Sequence, residues 1–226
     1  MSKGLFITGT GTDVGKTYVT ALLVKKLCHG GISAGYYKAA VSGNKKGPQG
    51  LIPGDAEYVK RISGLNQSLE SMVPYVYEQA VSPHLAARLE GNPVELERVE
   101  EGYRKVWASR EYVTMEGSGG IVCPVRWDEK KIWLEDIVRS LGLPSVIVAD
   151  AGLGSINAAV LTAEYMRQRK LPVKGIILNR YHRDCCMDAD NRHMIEERTG
   201  IPVIECVEQG QKELRTGLDI VMGLYE

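Results

Sequence analysis

Leu5-Phe6-Ile7-Thr8-Gly9-Thr10-Gly11-Thr12-Asp13-Val14-Gly15-Lys16-Thr17 is the stretch that decides the fold of this 226-residue chain. A short apolar run ends in a loop of glycine and threonine, and the loop leads into Gly-Lys-Thr and an amphipathic segment. Strand, loop and helix in this order form the phosphate-binding P-loop arrangement. Loop N–H groups bind the anion, a lysine neutralises β/γ-phosphate charge, and a threonine hydroxyl binds Mg²⁺. The stretch therefore predicts a nucleotide site that uses Lys16 and Thr17 in these two roles.

The loop is one residue longer than the common G-x4-G-K-[ST] pattern, because it reads G-x5-G-K-T when counted from Gly9. A glycine-rich turn between a strand and a helix, with no ligand, is the alternative interpretation. The apolar strand directly before the loop, the helix directly after it and the intact Gly-Lys-Thr favour a nucleotide site.

The composition excludes several classes of protein. Lys+Arg and Asp+Glu both number 28, so we expect neither nucleic acid nor a charged membrane surface as a partner. No apolar run approaches the ~18 residues that cross a bilayer. Strand residues begin by Leu5, which leaves no room for a signal peptide. The five cysteines are odd in number and show no C-x-x-C spacing. This pattern favours reduced thiols over a disulfide framework. We expect a cytoplasmic protein with a single nucleotide-binding domain over residues 1–226.

Strand-like and helix-like segments alternate after the P-loop. Strands are predicted over 35–38, 111–116, 146–149, 175–179 and 202–206, and residues 42–54 are predicted to form a loop. Helices are predicted from the P-loop to Gly30, after Asp55, after Ser82, over 94–109, 133–141, 155–169 and 188–199, and at the chain end. This alternation predicts an α/β, three-layer P-loop fold: a mostly parallel central sheet with helices on both faces.

Lys38 stands at the carboxyl end of a predicted strand, the edge at which parallel sheets bind their ligands. We expect this strand to lie next to the P-loop strand, so that the ammonium reaches a phosphoryl group in transfer. The Ser42 hydroxyl follows four residues later and is a candidate donor to the same region.

Two acidic residues compete for a magnesium-binding role at strand ends. Glu116 precedes Gly117-Ser118-Gly119-Gly120, which lets the backbone turn tightly beside phosphates, whereas Asp150 ends an equally apolar strand. We favour Glu116 and interpret Asp150 as a cap or a supporting residue. Asp55 is interpreted as a helix cap, with a metal role as the alternative.

Asn179 ends another predicted strand and is followed by Arg180-Tyr181. Guanine-binding proteins carry N-K-x-D at this place, and the lysine and aspartate are missing here. A side-chain amide can pair with the N6 and N7 edge of adenine. The sequence therefore favours ATP.

Several separated segments resemble one family, the dethiobiotin synthetases. Residues 9–17 resemble the family's G-T-D-T-x-V-G-K-T loop, including its extra residue, and residues 37–43 resemble its Y-K-P-V-x-[ST]-G segment. Four more family-like segments follow in family order: Gly54-Asp55-Ala56, Ser82-Pro83-His84, Glu116–Gly120 and Gly152–Asn157. The resemblance covers about residues 3–181.

The resemblance implies an ATP-dependent ring closure in which 7,8-diaminononanoate and CO₂ or bicarbonate give dethiobiotin, ADP and phosphate. It implies catalytic roles for Lys38, Lys16 and Thr12, and Mg²⁺ ligation by Thr17, Asp55 and Glu116. Nucleotide contacts are implied for Asp13, Val14, Gly15, Lys16, Thr17, Tyr18, Glu116, Gly117, Ser118, Gly119, Asn179 and Arg180. Substrate contacts are implied for Thr12, Lys38, Ser42 and, across a homodimer interface, Asn157; the helix N-terminus at Gly154 and Ser155 is a candidate for binding the substrate carboxylate.

One segment departs from this pattern, and two alternative classes of protein stay open. Glu205-Cys206-Val207-Glu208 replaces the family's usual G-x-[IV]-P, a segment that lines its adenine pocket. The alternatives are a switch ATPase of the chromosome-partition type and a diverged nucleotide-binding relative. The partition ATPases carry a second lysine in the loop, and that lysine would fall at position 11, where this chain has Gly11.

Overall fold

The computed structural model describes residues 2–48 and 50–226. In this part of the chain the strands are β1 Lys3–Gly9, β2 Ala34–Lys38, β3 Ala40–Val41, β4 Lys45–Gly47, β5 Gly50–Ile52, β6 Tyr75–Val76, β7 Tyr112–Glu116, β8 Pro124–Trp127, β9 Lys131–Trp133, β10 Ser145–Asp150, β11 Val173–Asn179 and β12 Val203–Val207. The helices are α1 Lys16–His29, α2 Gly54–Ser63, α3 Leu69–Met72, α4 Pro83–Leu89, α5 Leu96–Ser109, α6 Leu134–Leu141, α7 Ser155–Gln168, α8 Cys186–Thr199 and α9 Leu218–Gly223.

Six strands form a parallel central sheet in the order β12-β11-β10-β1-β7-β2. Alternate residues of β1 face opposite sides of this sheet, so Leu5 and Ile7 join one apolar core and Phe6 joins the other. The first core includes residues of α1 and α2, and the second includes residues of α5, α6 and α7. Helices therefore cover both faces, as the alternation of strand-like and helix-like segments predicted.

The strand order corrects one expectation about Lys38. Strand β2 was expected beside the P-loop strand, but β7 lies between β1 and β2 and pairs with both. Lys38 is instead the direct register partner of Glu116. The local sequence did not reveal this because β7 enters the sheet more than seventy residues after β2.

Three local differences from the predicted elements concern loops and caps. The predicted loop 42–54 contains the antiparallel β4–β5 hairpin, and a second hairpin, β8–β9, precedes α6. Pro53, not Asp55, is the N-cap residue of α2, so Asp55 lies within the first helical turn.

Across residues 2–48 and 50–226, no helix combines the length and the apolar character that crossing a membrane requires.

Candidate active site

The P-loop joins β1 to α1 and requires glycine at position 15. Gly15 has φ of 94°, a left-handed conformation that suits glycine, and it caps the N-terminus of α1. A Cβ atom at this position would lie 2.0 Å from Nδ2 of Asn179. The Lys16 ammonium donates to the carbonyl oxygen of Gly11 at 2.8 Å, which folds the side chain back over the loop. The loop N–H groups and this ammonium are typical of a site for phosphates.

Lys38 lies between two carboxylates at the carboxyl edge of the sheet. Its Nζ atom is 2.6 Å from Oδ2 of Asp55 and 2.7 Å from Oε1 of Glu116. The Thr17 hydroxyl donates to the same Glu116 oxygen at 2.7 Å. Three elements, α1, β2 and β7, and the first turn of α2 therefore meet at one cluster of oxygen and nitrogen atoms.

Burial and charge shift the pKa values in this cluster. Burial favours the neutral amine of Lys38, but the carboxylates of Glu116 and Asp55 outweigh it and hold the pKa above its ordinary value. Burial, followed by the nearby ammonium of Lys38, lowers the pKa of Lys16. Burial alone would raise the pKa of Asp55, yet the charge of Lys38 and its hydrogen bond keep it below its ordinary value. The cluster thus holds an ammonium and an ionised carboxylate at neutral pH.

The cluster opens into a cleft of about 590 Å³. Most of the site residues proposed from the sequence line it together: Thr12, Asp13, Gly15, Lys16, Thr17, Lys38, Ser42, Asp55, Glu116, Ser118, Gly119 and Arg180. Ser118 donates to the Ala40 carbonyl at 2.8 Å, and Ser42 donates to the Val81 carbonyl at 2.6 Å. The loop after β7 is therefore fastened to β3, and the residue after β3 is fastened to the segment between β6 and α4.

Asn179 and Arg180 support the P-loop from the end of β11. The Asn179 amide donates to the Val14 carbonyl at 3.0 Å, and the Arg180 guanidinium donates to the Asp13 carbonyl and pairs with Asp150. Asp13 and Arg180 both have positive φ, 60° and 57°. Asp150 also accepts from the Gly152 N–H at 3.1 Å, which matches the supporting role expected for it.

Five other predicted residues, named below, are not among those that line this cleft. Gly117 turns inward and donates from its N–H to the Ile7 carbonyl at 2.9 Å, and the Tyr18 hydroxyl donates to the Gln211 carbonyl. Gly154 and Ser155 begin α7, where Ser155 is buried and Asn157 is exposed. These last three residues are at the N-terminus of α7, at the end of the loop that follows β10.

In the segment 205–208, which departs from the family pattern, the acidic side chains make contacts within the chain. One carboxylate oxygen of Glu205 accepts from the N–H and the hydroxyl of Thr216, both at 2.8 Å. Glu208 lies 2.6 Å from Arg183 and 2.7 Å from Arg215. Both acidic side chains thus fix the segment that follows β12.

Sequence reasoning missed one residue that touches the cluster. Tyr36 is fully buried, and its hydroxyl donates to Oε2 of Glu116 at 3.1 Å. The signal was present, because residues two apart on a strand share a face and Tyr36 precedes Lys38 by two. The apolar pattern of the strand made Tyr36 indistinguishable from a core residue.

The fold and the loop define this chain as a P-loop nucleotide-binding protein. Solved structures with a similar fold include the MinC:MinD cell division protein complex of Aquifex aeolicus, with a TM-score of 0.58 and 14% identity over 99% of this chain and 86% of that one. A ParA family ATPase of Chlorobium tepidum also has a TM-score of 0.58 and 14% identity, over 100% and 91% of the two chains. These similarities concern the fold alone.

Sequence comparison specifies the family within this class. A family model described as an AAA domain matches residues 3–213. An ATP-dependent dethiobiotin synthetase of Brachyspira hyodysenteriae is 49% identical over 93% of this chain and 94% of its own length. One from Clostridium botulinum is 42% identical over 100% of this chain and 99% of its own length. The chain belongs to the dethiobiotin synthetase family, which confirms the resemblance seen in the motifs.

Proposed function

We propose that this protein is an ATP-dependent dethiobiotin synthetase, a ligase that closes a ureido ring. The observation that carries the proposal is the position of Lys38, held between two carboxylates in the cleft that also contains the P-loop lysine. A phosphate-binding loop alone would suit many ATPases. A second buried lysine in the same cleft suits an enzyme that transfers a phosphoryl group to a bound acceptor.

The proposed reaction has three steps. One amine of 7,8-diaminononanoate adds to CO₂ and loses a proton to give a carbamate. A carbamate oxygen then attacks the γ-phosphorus of ATP, and the bond to the ADP oxygen breaks. The second amine attacks the carbon of this mixed anhydride and loses a proton, the ring closes, and phosphate leaves with the oxygen it received from the carbamate.

The residues of the cleft suit the demands of the second step, in which negative charge develops on the moving group. Lys16 of the P-loop and Lys38 at the end of β2 both line the cleft, so that two ammonium groups would stabilise that charge. Thr12 and Ser42 line the same cleft and would position the acceptor by hydrogen bonds. Loop N–H groups would hold the nucleotide phosphates.

The donor set fits Mg²⁺, which we include in the proposal. Thr17, Asp55 and Glu116 contribute a hydroxyl and two carboxylates, the hard oxygen donors that Mg²⁺ prefers alongside phosphates. These three residues would hold the ion. When bound, it would supply positive charge next to the β- and γ-phosphates.

We also propose a homodimer. Leu153, in the turn before α7, is 93% exposed, and Leu161, on α7, is 62% exposed. Asn157 is exposed one turn before Leu161, so an interface here would carry Asn157 and the α7 N-terminus to a partner's cleft. Leu161→Glu should then reduce the mass in light scattering from two chains to one, with an unchanged circular dichroism spectrum.

We assign the enzyme to the cytoplasm, because ATP and bicarbonate are available in that compartment.

Phosphate release tests the function directly. We would supply Mg·ATP, 7,8-diaminononanoate and bicarbonate, omit each in turn, and compare wild type with Lys38→Ala. Release that requires all three substrates and falls by about a hundredfold or more in the variant would support the synthetase. Release that ignores the diamine would reject it and favour the switch ATPase. Release with CTP or GTP but not with ATP would keep the chemistry and reject the assignment of ATP.

A further inference from the structure

The carboxylate of Glu116 is held at both of its oxygens. Oε1 accepts from Thr17 and Lys38, each at 2.7 Å, and Oε2 accepts from the Tyr36 hydroxyl at 3.1 Å. Glu116 is 1% exposed and Tyr36 is fully buried, so water does not compete for the second contact. A buried carboxylate needs such partners, because an unmet charge inside a protein is costly.

The sheet fixes the place of this contact. Tyr36 and Lys38 are two residues apart on β2 and share the face that packs against α1, and Lys38 pairs in register with Glu116 on β7. Tyr36 lies two residues before the end of β2 and is not among the residues that line the cleft. Thr17 and Lys38 contact the other oxygen, on the side of the cleft.

We propose that Tyr36 is a positioning residue for the metal and phosphate site. Its hydroxyl fixes the rotation of the Glu116 carboxylate, so that Oε1 stays turned toward Thr17 and the cleft. Without the hydroxyl, the carboxylate can turn about its terminal bond, and a cation in the cleft meets a ligand that must first be ordered. This role rests on the proposed use of Glu116 as a metal ligand.

The neighbouring Tyr37 provides a matched control. It is also fully buried, and its hydroxyl donates to the Val99 carbonyl at 2.8 Å, but it faces the opposite core. Tyr36→Phe and Tyr37→Phe each remove one buried hydroxyl and one hydrogen bond from the same strand. The two variants differ in whether the lost contact reaches Glu116.

The experiment measures ADP binding by calorimetry over a Mg²⁺ series that starts in EDTA. We expect Tyr36→Phe to bind ADP in EDTA within about twofold of wild type. The Mg²⁺ concentration that gives half of the affinity gain should rise roughly fivefold to tenfold, the net effect of one typical hydrogen bond. Tyr37→Phe should leave both quantities within about twofold.

Other outcomes would overturn the role. Equal Mg²⁺ midpoints in the two variants would show that the hydroxyl does not order the ligand. An equal loss of ADP affinity in EDTA and in Mg²⁺ would indicate a general packing defect. A Tyr36→Phe chain that fails to fold, beside a folded Tyr37→Phe, would assign Tyr36 to stability alone, and a wild type without any Mg²⁺ effect would reject the metal site as well. The assay contains no diamine, so failure of the synthetase proposal would appear separately, in the phosphate release experiment.

Discussion

Gly15→Ala tests the geometry of the P-loop most directly. Gly15 has φ of 94°, and a Cβ atom there would lie 2.0 Å from the Asn179 amide nitrogen. The substitution adds one methyl group and changes no charge. Any effect must therefore come from backbone strain and from this contact.

The two contributions can be given magnitudes. A left-handed backbone costs an alanine about 1–2 kcal/mol. Asn179 is 4% exposed and would have to leave the Val14 carbonyl, which it contacts at 3.0 Å, at a further cost of about 1–3 kcal/mol for a buried group left unpaired. The free energy of unfolding should therefore fall by about 2–5 kcal/mol. ADP affinity should fall as well, because a movement of the loop that relieved this strain would displace the N–H groups that bind the phosphates.

Urea denaturation followed by circular dichroism measures the loss. Gly11→Ala is the control within the same loop, since nothing lies within 4 Å of a Cβ atom there, and we expect a change below about 0.5 kcal/mol. In an Asn179→Ala background the contact is gone, so Gly15→Ala should cost only the ~1–2 kcal/mol of backbone strain. An equal cost in both backgrounds would refute the contact argument.

Three further predictions concern the charges and thiols. Lys38→Met removes the cation between two carboxylates and should lower the free energy of unfolding, measured in urea, by about 3–5 kcal/mol. An unchanged free energy of unfolding would show that the Lys38–Glu116 ion pair is not buried in solution. Asp150→Asn removes a half-exposed partner of Arg180, so stability should change by less than about 1 kcal/mol and ADP affinity by about twofold to threefold in calorimetry; a loss above tenfold would contradict this. Burial raises the pKa of Cys123 to about 11, whereas Cys186 is exposed, so iodoacetamide at pH 8 should label Cys186 first; equal rates in peptide mapping would contradict the burial.

The sequence predicted the parts of the site that depend on local pattern. The P-loop could be predicted because its residues are consecutive, and Lys38, Glu116 and Asn179 because parallel strands end at one edge of a sheet. The pairing of Lys38 with Glu116 could not be predicted, since the order of strands in a sheet depends on packing across the whole chain. Which of these residues bind nucleotide, metal and substrate stays a prediction.

Side-chain competition explains what local rules missed. An aspartate near a helix start usually accepts the free N–H groups there, but the Asp55 carboxylate is drawn to the Lys38 ammonium 2.6 Å away. Tyr36 fits an apolar strand so well that the local pattern did not distinguish it from a core residue, although its hydroxyl contacts Glu116 on another strand. In both cases the deciding partner is distant in sequence.

The Lys38–Glu116 pair also has a consequence for the order of folding. The two residues are 78 positions apart in the sequence and meet only when the β2 and β7 strands pair. Non-local pairing of this kind forms slowly, because a long segment must be closed first. The nucleotide site should accordingly form late in folding. Nucleotide would then slow the unfolding of the native protein in stopped-flow experiments and leave its refolding rate unchanged.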